Sequence, residues 1–181
     1  MAAWFLPRKK RLDLPTRPKP VVRFSLQWDR AALGPATWPA HRGRIQRLLG
    51  AALSQIADGP TTSGSLELTL RMVGAAESRA LNWQFRGKDS PTNVLTFGYQ
   101  PLPAASADLV LCLPVLIDEA RQQSKSVSDH FLHMALHGAL HALEFDHQTE
   151  SEANKMEGLE RLLLARFGIP DPYAPGKAVA H

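Results

Sequence analysis

Residues 129–147 read DHFLHMALHGALHALEFDH and hold five of the chain's seven histidines. The apolar spacing is helical, and at about 100° per residue His130, His133, His137 and His141 fall within about 80° of one another, on one stripe. An ordinary core gains nothing from such a stripe. His137 and His141 stand at i, i+4, the spacing at which two imidazoles on one helical face grip one ion. His147 follows six residues later, after a break long enough to bring the chain back. A structural zinc site is closed by a fourth protein ligand, whereas three histidines leave a position for water, whose pKa an ion lowers towards about 7. The spacing therefore points to a hydrolytic metal centre made by His137, His141 and His147. Asp146 precedes the third histidine as an acceptor that can orient a ligand. His130 and His133, one and two turns earlier, are open to wall or surface roles and to direct ligation. Asp129, near the helix start, reads as a cap or dipole contributor. A zinc protease of the H-E-x-x-H kind carries its general base directly after the first histidine, and here that position is Gly138.

Working outward, the histidine helix spans 128–143 and is followed by another at 150–167. Before it lie a helix at 114–123 and a strongly apolar strand, Asp108 to Leu113, preceded by a Pro/Ala-rich connection. Further upstream come a strand at Asn93 to Tyr99, a polar loop from Arg86 to Thr92, and a short helix from Ala76 to Phe85. In Ser65 to Val73, Leu66, Leu68, Leu70 and Met72 alternate with polar residues, as in a half-buried strand. Ile45, Leu48, Leu49, Ala52, Leu53 and Ile56 recur at helical spacing, and Val21 to Trp28 has strand composition. The expected class is α+β. It comprises a small mixed sheet of about four strands with four to five helices, and a metal site on a C-terminal-half helix and the turn after it.

The length of 181 residues corresponds to about one domain. The longest apolar run, Leu109 to Ile117, contains Pro114 and falls short of the roughly 20 residues of a membrane span. With Cys112 as the single cysteine, no disulfide or cysteine-based zinc cluster can form within the chain. Its place in the most apolar strand reads as a buried small hydrophobe. Residues 1–23 hold seven Lys/Arg and one acid, so the remaining 14 Lys/Arg face 16 Asp/Glu and the basicity sits in the arm. Between Pro7 and Pro20, four prolines stand among Arg8, Lys9, Lys10, Arg11, Arg17 and Lys19, a composition that blocks helix and favours an extended tail. The division expected is a flexible basic arm at 1–20, a single catalytic domain at 21–173 and a flexible tail at 174–181. The order of charge and apolar residues disfavours secretion, which leaves a soluble, cytoplasmic protein with organelle targeting still compatible.

The segment His137-Gly138-Ala139-Leu140-His141-Ala142-Leu143-Glu144-Phe145-Asp146-His147 closely resembles the H-G-x-L-H-L-x-G-y-D-H helix of the YbeY family. A second block, NWQFRGKDSPTNVLTF at 82–97, resembles that family's N-x-x-x-R-x-K-d-x-P-T-N-V-L-S-F segment, with Thr96 in place of serine. Ala107-Asp108-Leu109-Val110 and Asp171-Pro172-Tyr173 are further matches. The resemblance implies a zinc-dependent, single-strand-specific endoribonuclease acting in 16S-type rRNA 3′ end maturation and ribosome quality control. It implies one zinc per chain on His137, His141 and His147, with Arg86 as the positive residue at the cleft. Its partners would be single-stranded rRNA, the small ribosomal subunit and assembly factors. Elementary chemistry agrees, since a guanidinium stabilises the charge a phosphodiester gains during attack. Arg86 is equally placed to be a helix C-terminal charge before Gly87, and Lys88 is a second candidate phosphate contact. Pro91 is expected to fix the loop, and Thr92 and Asn93 to bind its backbone. Glu144 takes the place of a glycine that ends the helix with positive φ. Two other readings stay open: a peptidase-like zinc hydrolase, and a ribosome assembly or RNA-binding factor with a structural metal.

If the arm contacts phosphates, each contact steepens the dependence of log affinity on log salt by roughly 0.7 for single strands. Deleting residues 1–20 should weaken RNA binding mostly at low salt and make the slope shallower by about two to four units, measured between about 50 and 300 mM salt. Identical slopes would show that the arm makes no RNA contact.

Overall fold

The computed structural model describes residues 20–35, 37–56 and 64–174. The expected arm, apart from Pro20, and the expected tail beyond Ala174 lie outside the described residues. The elements run β1 (Val21–Trp28), α1 (Arg30–Leu33), α2 (Arg42–Ile56), β2 (Ser65–Val73), α3 (Ala75–Arg86), β3 (Val94–Gln100), β4 (Ala104–Cys112), α4 (Leu113–Gln122), α5 (Val127–Ala142) and α6 (Glu150–Arg166). The fold is α+β, with a four-stranded mixed sheet in the order β1-β2-β4-β3. β1, β2 and β4 are parallel, and β3 runs antiparallel to β4 at one edge. Parallel neighbours need a crossover connection. α2 supplies it between β1 and β2, and α3 with β3 supplies it between β2 and β4.

Period-two alternation decides which face each strand buries. Leu66, Leu68, Leu70 and Met72 of β2 point into the main core, together with Leu109 and Leu111 of β4. α2 covers them with Ile45, Leu48, Leu49, Ala52 and Leu53. α5 lies across β3 and β4, and also packs on α2, α4 and α6. The opposite face carries a smaller cluster, Val73, Leu95, Val110 and Cys112, capped by Leu81 of α3 and Val115 of α4. Cys112 is fully buried, and burial pushes its thiol pKa up, so it packs as a small hydrophobe.

Two differences from the sequence-based expectation have local causes. β4 begins at Ala104 rather than Asp108, because residues 104–107 pair with residues 65–68 of β2 and bury Ala105 and Ala107. Alanine has neither the bulk nor the branching that marks strands in sequence. A sixth helix, α1, is only four residues long and is nucleated by Asp29, whose side chain accepts the N–H groups of Ala31 and Ala32. Among the described residues no helix is long and apolar enough to cross a membrane.

α5 comes close to the sheet at Gly138. A Cβ there would lie 2.9 Å from Leu109 Cδ2 and 3.1 Å from Thr96 Oγ1. A side chain at the position after the first histidine must therefore displace Leu109 and crowd Thr96. Gly138→Val should destabilise the protein by about 1–3 kcal/mol through overpacking, and Gly138→Ala should show none of the roughly 1 kcal/mol helix-propensity gain that alanine gives elsewhere. Urea denaturation midpoints measure both; a more stable alanine variant would show that the contact is loose.

Candidate metal centre and active cleft

α5 starts at Ser126, whose side chain accepts the N–H of Asp129, and Asp129 in the first turn pairs with Arg44 at 3.4 Å. Asp129 thus acts on the helix start, as expected. At the other end, the Phe145 N–H donates to the Leu140 carbonyl and the Glu144 N–H to the His141 carbonyl, with Glu144 at φ 68°. This is a Schellman cap with glutamate where glycine is normal. It turns the chain back so that the segment after the helix returns to the histidine face.

That return brings His137, His141 and His147 together: one ligand atom from each lies within 4.8 Å of the others. The His147 ring stacks on His137 at 5.5 Å and meets His141 edge-on at 4.9 Å. His137 Nδ1 donates to Glu160 Oε1 at 2.9 Å, and His141 Nδ1 donates to the Phe145 carbonyl at 2.9 Å. Both partners are pure acceptors, so each ring keeps its proton on Nδ1 and its lone pair on Nε2. The two Nε2 atoms face each other at 3.2 Å. Two lone pairs at that distance repel unless a cation lies between them. About 3.3 Å is the separation of two nitrogens each bound some 2.0–2.1 Å from one tetrahedral zinc. The donor set fits the ion. Burial, with His137 and His147 alongside, lowers the pKa of His141 and so favours the neutral ring that ligation requires.

Glu160 was not picked out by the sequence reading. It is completely buried on α6, and besides His137 it meets His133 Nε2 at 3.2 Å and accepts the Tyr173 hydroxyl. Burial pushes its carboxyl upward, but the hydrogen bonds from His133, His137 and Tyr173 overcome this and hold it at about 2. The orienting role expected of Asp146 falls to Glu160 for His137. The Asp146 carboxylate instead accepts the His147 N–H and the Gln148 side chain, both at 2.8 Å, and shapes the turn. A signal for Glu160 did exist. It occupies the buried stripe of α6 with Met156, Leu163 and Leu164, at the spacing i, i+4, i+7, i+8.

His130 and His133 stand outside the three-histidine cluster. His130 Nε2 meets Glu119 at 2.7 Å, and both histidines line a second cavity of about 460 Å³ with Asn93, Lys125 and Tyr173. Asn93 donates to Glu119 as well, at 3.1 Å. Thr92 binds through its backbone to the Ser78 hydroxyl, tying the loop to α3.

Arg86 occupies both of the positions its sequence allowed. It is the last residue of α3, before the left-handed Gly87, and it lines a cleft of about 390 Å³ together with Thr92, Asn93, Thr96, His137, His141 and His147. Lys88 is exposed on the adjoining loop and does not line the cleft.

Comparison with known proteins gives a consistent result. The model of a family described as Endoribonuclease YbeY matches residues 37–168. A protein of Bordetella avium named Endoribonuclease YbeY is 52% identical over 135 residues, covering 73% of this chain and 84% of the relative. One of the same name from Acidovorax sp. (strain JS42) is 52% identical over 157 residues, covering 84% and 96%. A Thermotoga maritima protein solved in solution shares the fold, with a TM-score of 0.51 at 22% identity over 87% of this chain and 99% of the other. The family match encloses Arg86, the three histidines and Glu160.

Holding a glutamate at positive φ costs about 1–2 kcal/mol. Glu144→Gly should therefore stabilise the protein by about 1 kcal/mol and leave metal binding intact, whereas Glu144→Ala, which keeps the Cβ, should gain nothing. Denaturation midpoints and zinc content check this, and loss of zinc from the glycine variant would give Glu144 a part in the site.

Proposed function

The chain belongs to the endoribonuclease YbeY family, and from that premise we propose that it is a zinc-dependent, single-strand-specific endoribonuclease of 16S-type rRNA 3′ end maturation and ribosome quality control. The observation that supports this most is the pair of imidazoles whose Nε2 lone pairs converge at 3.2 Å beside His147, with Arg86 on the wall of the same cleft.

His137, His141 and His147 hold one zinc ion per chain. When bound, such an ion supplies Lewis acidity and water activated near neutral pH. Glu160 and the Phe145 carbonyl keep His137 and His141 in the ligating tautomer. Arg86 binds the scissile phosphate and opposes the negative charge that grows on its oxygens during attack. Lys88 contacts a neighbouring phosphate outside the cleft. The peptidase reading lacks its general base, because Gly138 stands where that base would be. The working partners are single-stranded rRNA, the small ribosomal subunit and its assembly factors, in the cytoplasm.

The test combines zinc content with RNA cleavage. His137→Ala should lose both. Arg86→Ala should keep one zinc per chain and its fold but cleave single-stranded RNA at least about 10²-fold more slowly, with Arg86→Lys recovering part. Normal cleavage by Arg86→Ala would leave the arginine a helix-terminating charge, and RNA binding without cleavage in the zinc-loaded protein would favour an assembly factor. A 2′,3′-cyclic phosphate on the product would identify the RNA's own 2′-hydroxyl as the attacking group, and a 5′-phosphate with a free 3′-hydroxyl would identify water.

A further inference from the structure

We infer that Phe85, Phe97 and Tyr99 form a stacking platform for the bases of single-stranded RNA, just across the β3 edge from the histidine cleft. The inference rests on the nuclease reading and adds to it where the strand runs once it leaves the cleft.

β3 is an outer strand of the sheet, so nothing in the sheet covers its free side. Successive side chains on a strand point to opposite faces. Thr96 lines the cleft and donates to the Gly138 carbonyl of α5, which puts Phe97 on the other face, beneath α3. There Phe85 packs edge-to-face on Phe97, with ring centroids 4.9 Å apart. Phe85 directly precedes Arg86, so the platform and the phosphate-binding arginine are neighbours in the chain. The Tyr99 hydroxyl donates to Asp108, across the β3–β4 ladder, at 2.7 Å.

Phe85 is 57% exposed and Tyr99 64%. Leaving large rings in water next to a cleft forgoes burial that the core could have used, whereas contacts within the protein already hold their orientation. Phe97 is half-buried and holds Phe85 from below, and exposed rings fixed in this way suit an unpaired base, because every base has a π-face and stacking tolerates any sequence. Charge points the same way. Arg86 and Lys88 follow Phe85, and among the described residues neither forms an ion pair, so the phosphates of a strand lying on the rings would find Arg86 in the cleft and Lys88 on the adjoining loop. The nearby Arg79 is engaged with Asp89 at 2.6 Å. An apolar protein partner would meet no exposed aliphatic side chain here. An RNA strand meets rings and then an arginine, in continuity with the site that cuts it.

Trp83 supplies an internal control. It is 59% exposed but lies two residues from Phe85, about 200° around α3 and therefore on the far side of the helix.

The test measures binding of the zinc-loaded, full-length protein to a fluorescein-labelled single-stranded RNA, and to the same RNA carrying 2-aminopurine, across a salt series. Phe85→Leu and Tyr99→Ala should each weaken binding by about 5-fold to 100-fold, with the salt slope unchanged because stacking releases no counterions. Phe85→Trp, with a larger face, should bind at least as tightly as the parent, and Trp83→Ala should bind as the parent does. Quenching of 2-aminopurine should diminish in Phe85→Leu. Affinity and quenching unchanged in Phe85→Leu and Tyr99→Ala, with retained circular dichroism, would overturn the platform while leaving the nuclease reading intact. An equal loss for duplex RNA would also overturn it, since paired bases offer no free face. A parent protein that neither binds nor cuts RNA would overturn the nuclease reading and the platform together.

Discussion

The buried carboxylate of Glu160 is the contact on which the rest of the site depends. Placing an ionised group where no solvent reaches costs several kcal/mol, and the cost is offset only when nearly every lone pair finds a donor. Here the donors come from three places in the chain: His133 and His137 on α5, and Tyr173 beyond α6. The carboxylate thereby fixes the spacing of α5 and α6, ties the segment after the last helix to them, and sets which nitrogen of His137 is free. Removing one partner of such a buried network costs about 3–5 kcal/mol, because the others are left unmatched. Stability and chemistry share one group.

What was legible beforehand follows from the range over which each signal acts. The histidine stripe, the strand alternation in Ser65–Val73 and the absence of a base at Gly138 are local patterns, read at helical or strand period. The four-stranded mixed sheet followed from them together with the order of elements. Glu160 is different. It meets its histidines 23 and 27 residues away in sequence, and only packing of α6 against α5 makes that contact. The role given to Asp146 went astray for the same reason: proximity in sequence suggested an orienting carboxylate, while space supplied another one. Ala104–Ala107 hid the first half of β4 because small side chains leave little trace of a strand, even one held by a full ladder to β2.

The two ends of the cleft are built alike. Gly87 after α3 and Glu144 after α5 both take a left-handed conformation, with φ 68° in each. Each stops its helix just past a residue of the site, Arg86 in one case and His141 in the other. Glycine does this without strain; glutamate does so because the returning turn, with the Phe145 carbonyl accepting from His141, holds it there. The strained residue belongs to the same short unit that sets the tautomer of a proposed ligand.

An outer strand with a free edge is open to other copies of the same chain, since its unpaired N–H and C=O groups are a template for any extended segment. β3 carries a built-in limit to this. Its pairing with β4 is regular from Val94 to Gly98 and then shifts, with Tyr99 left out of register before Gln100 meets Ser106. Such a bulge bends and twists the strand, so two of these edges laid side by side would part company within a few residues. The irregularity at Gly98–Gln100 thus works against edge-to-edge pairing of copies and leaves Val94 to Gly98 in regular register with β4.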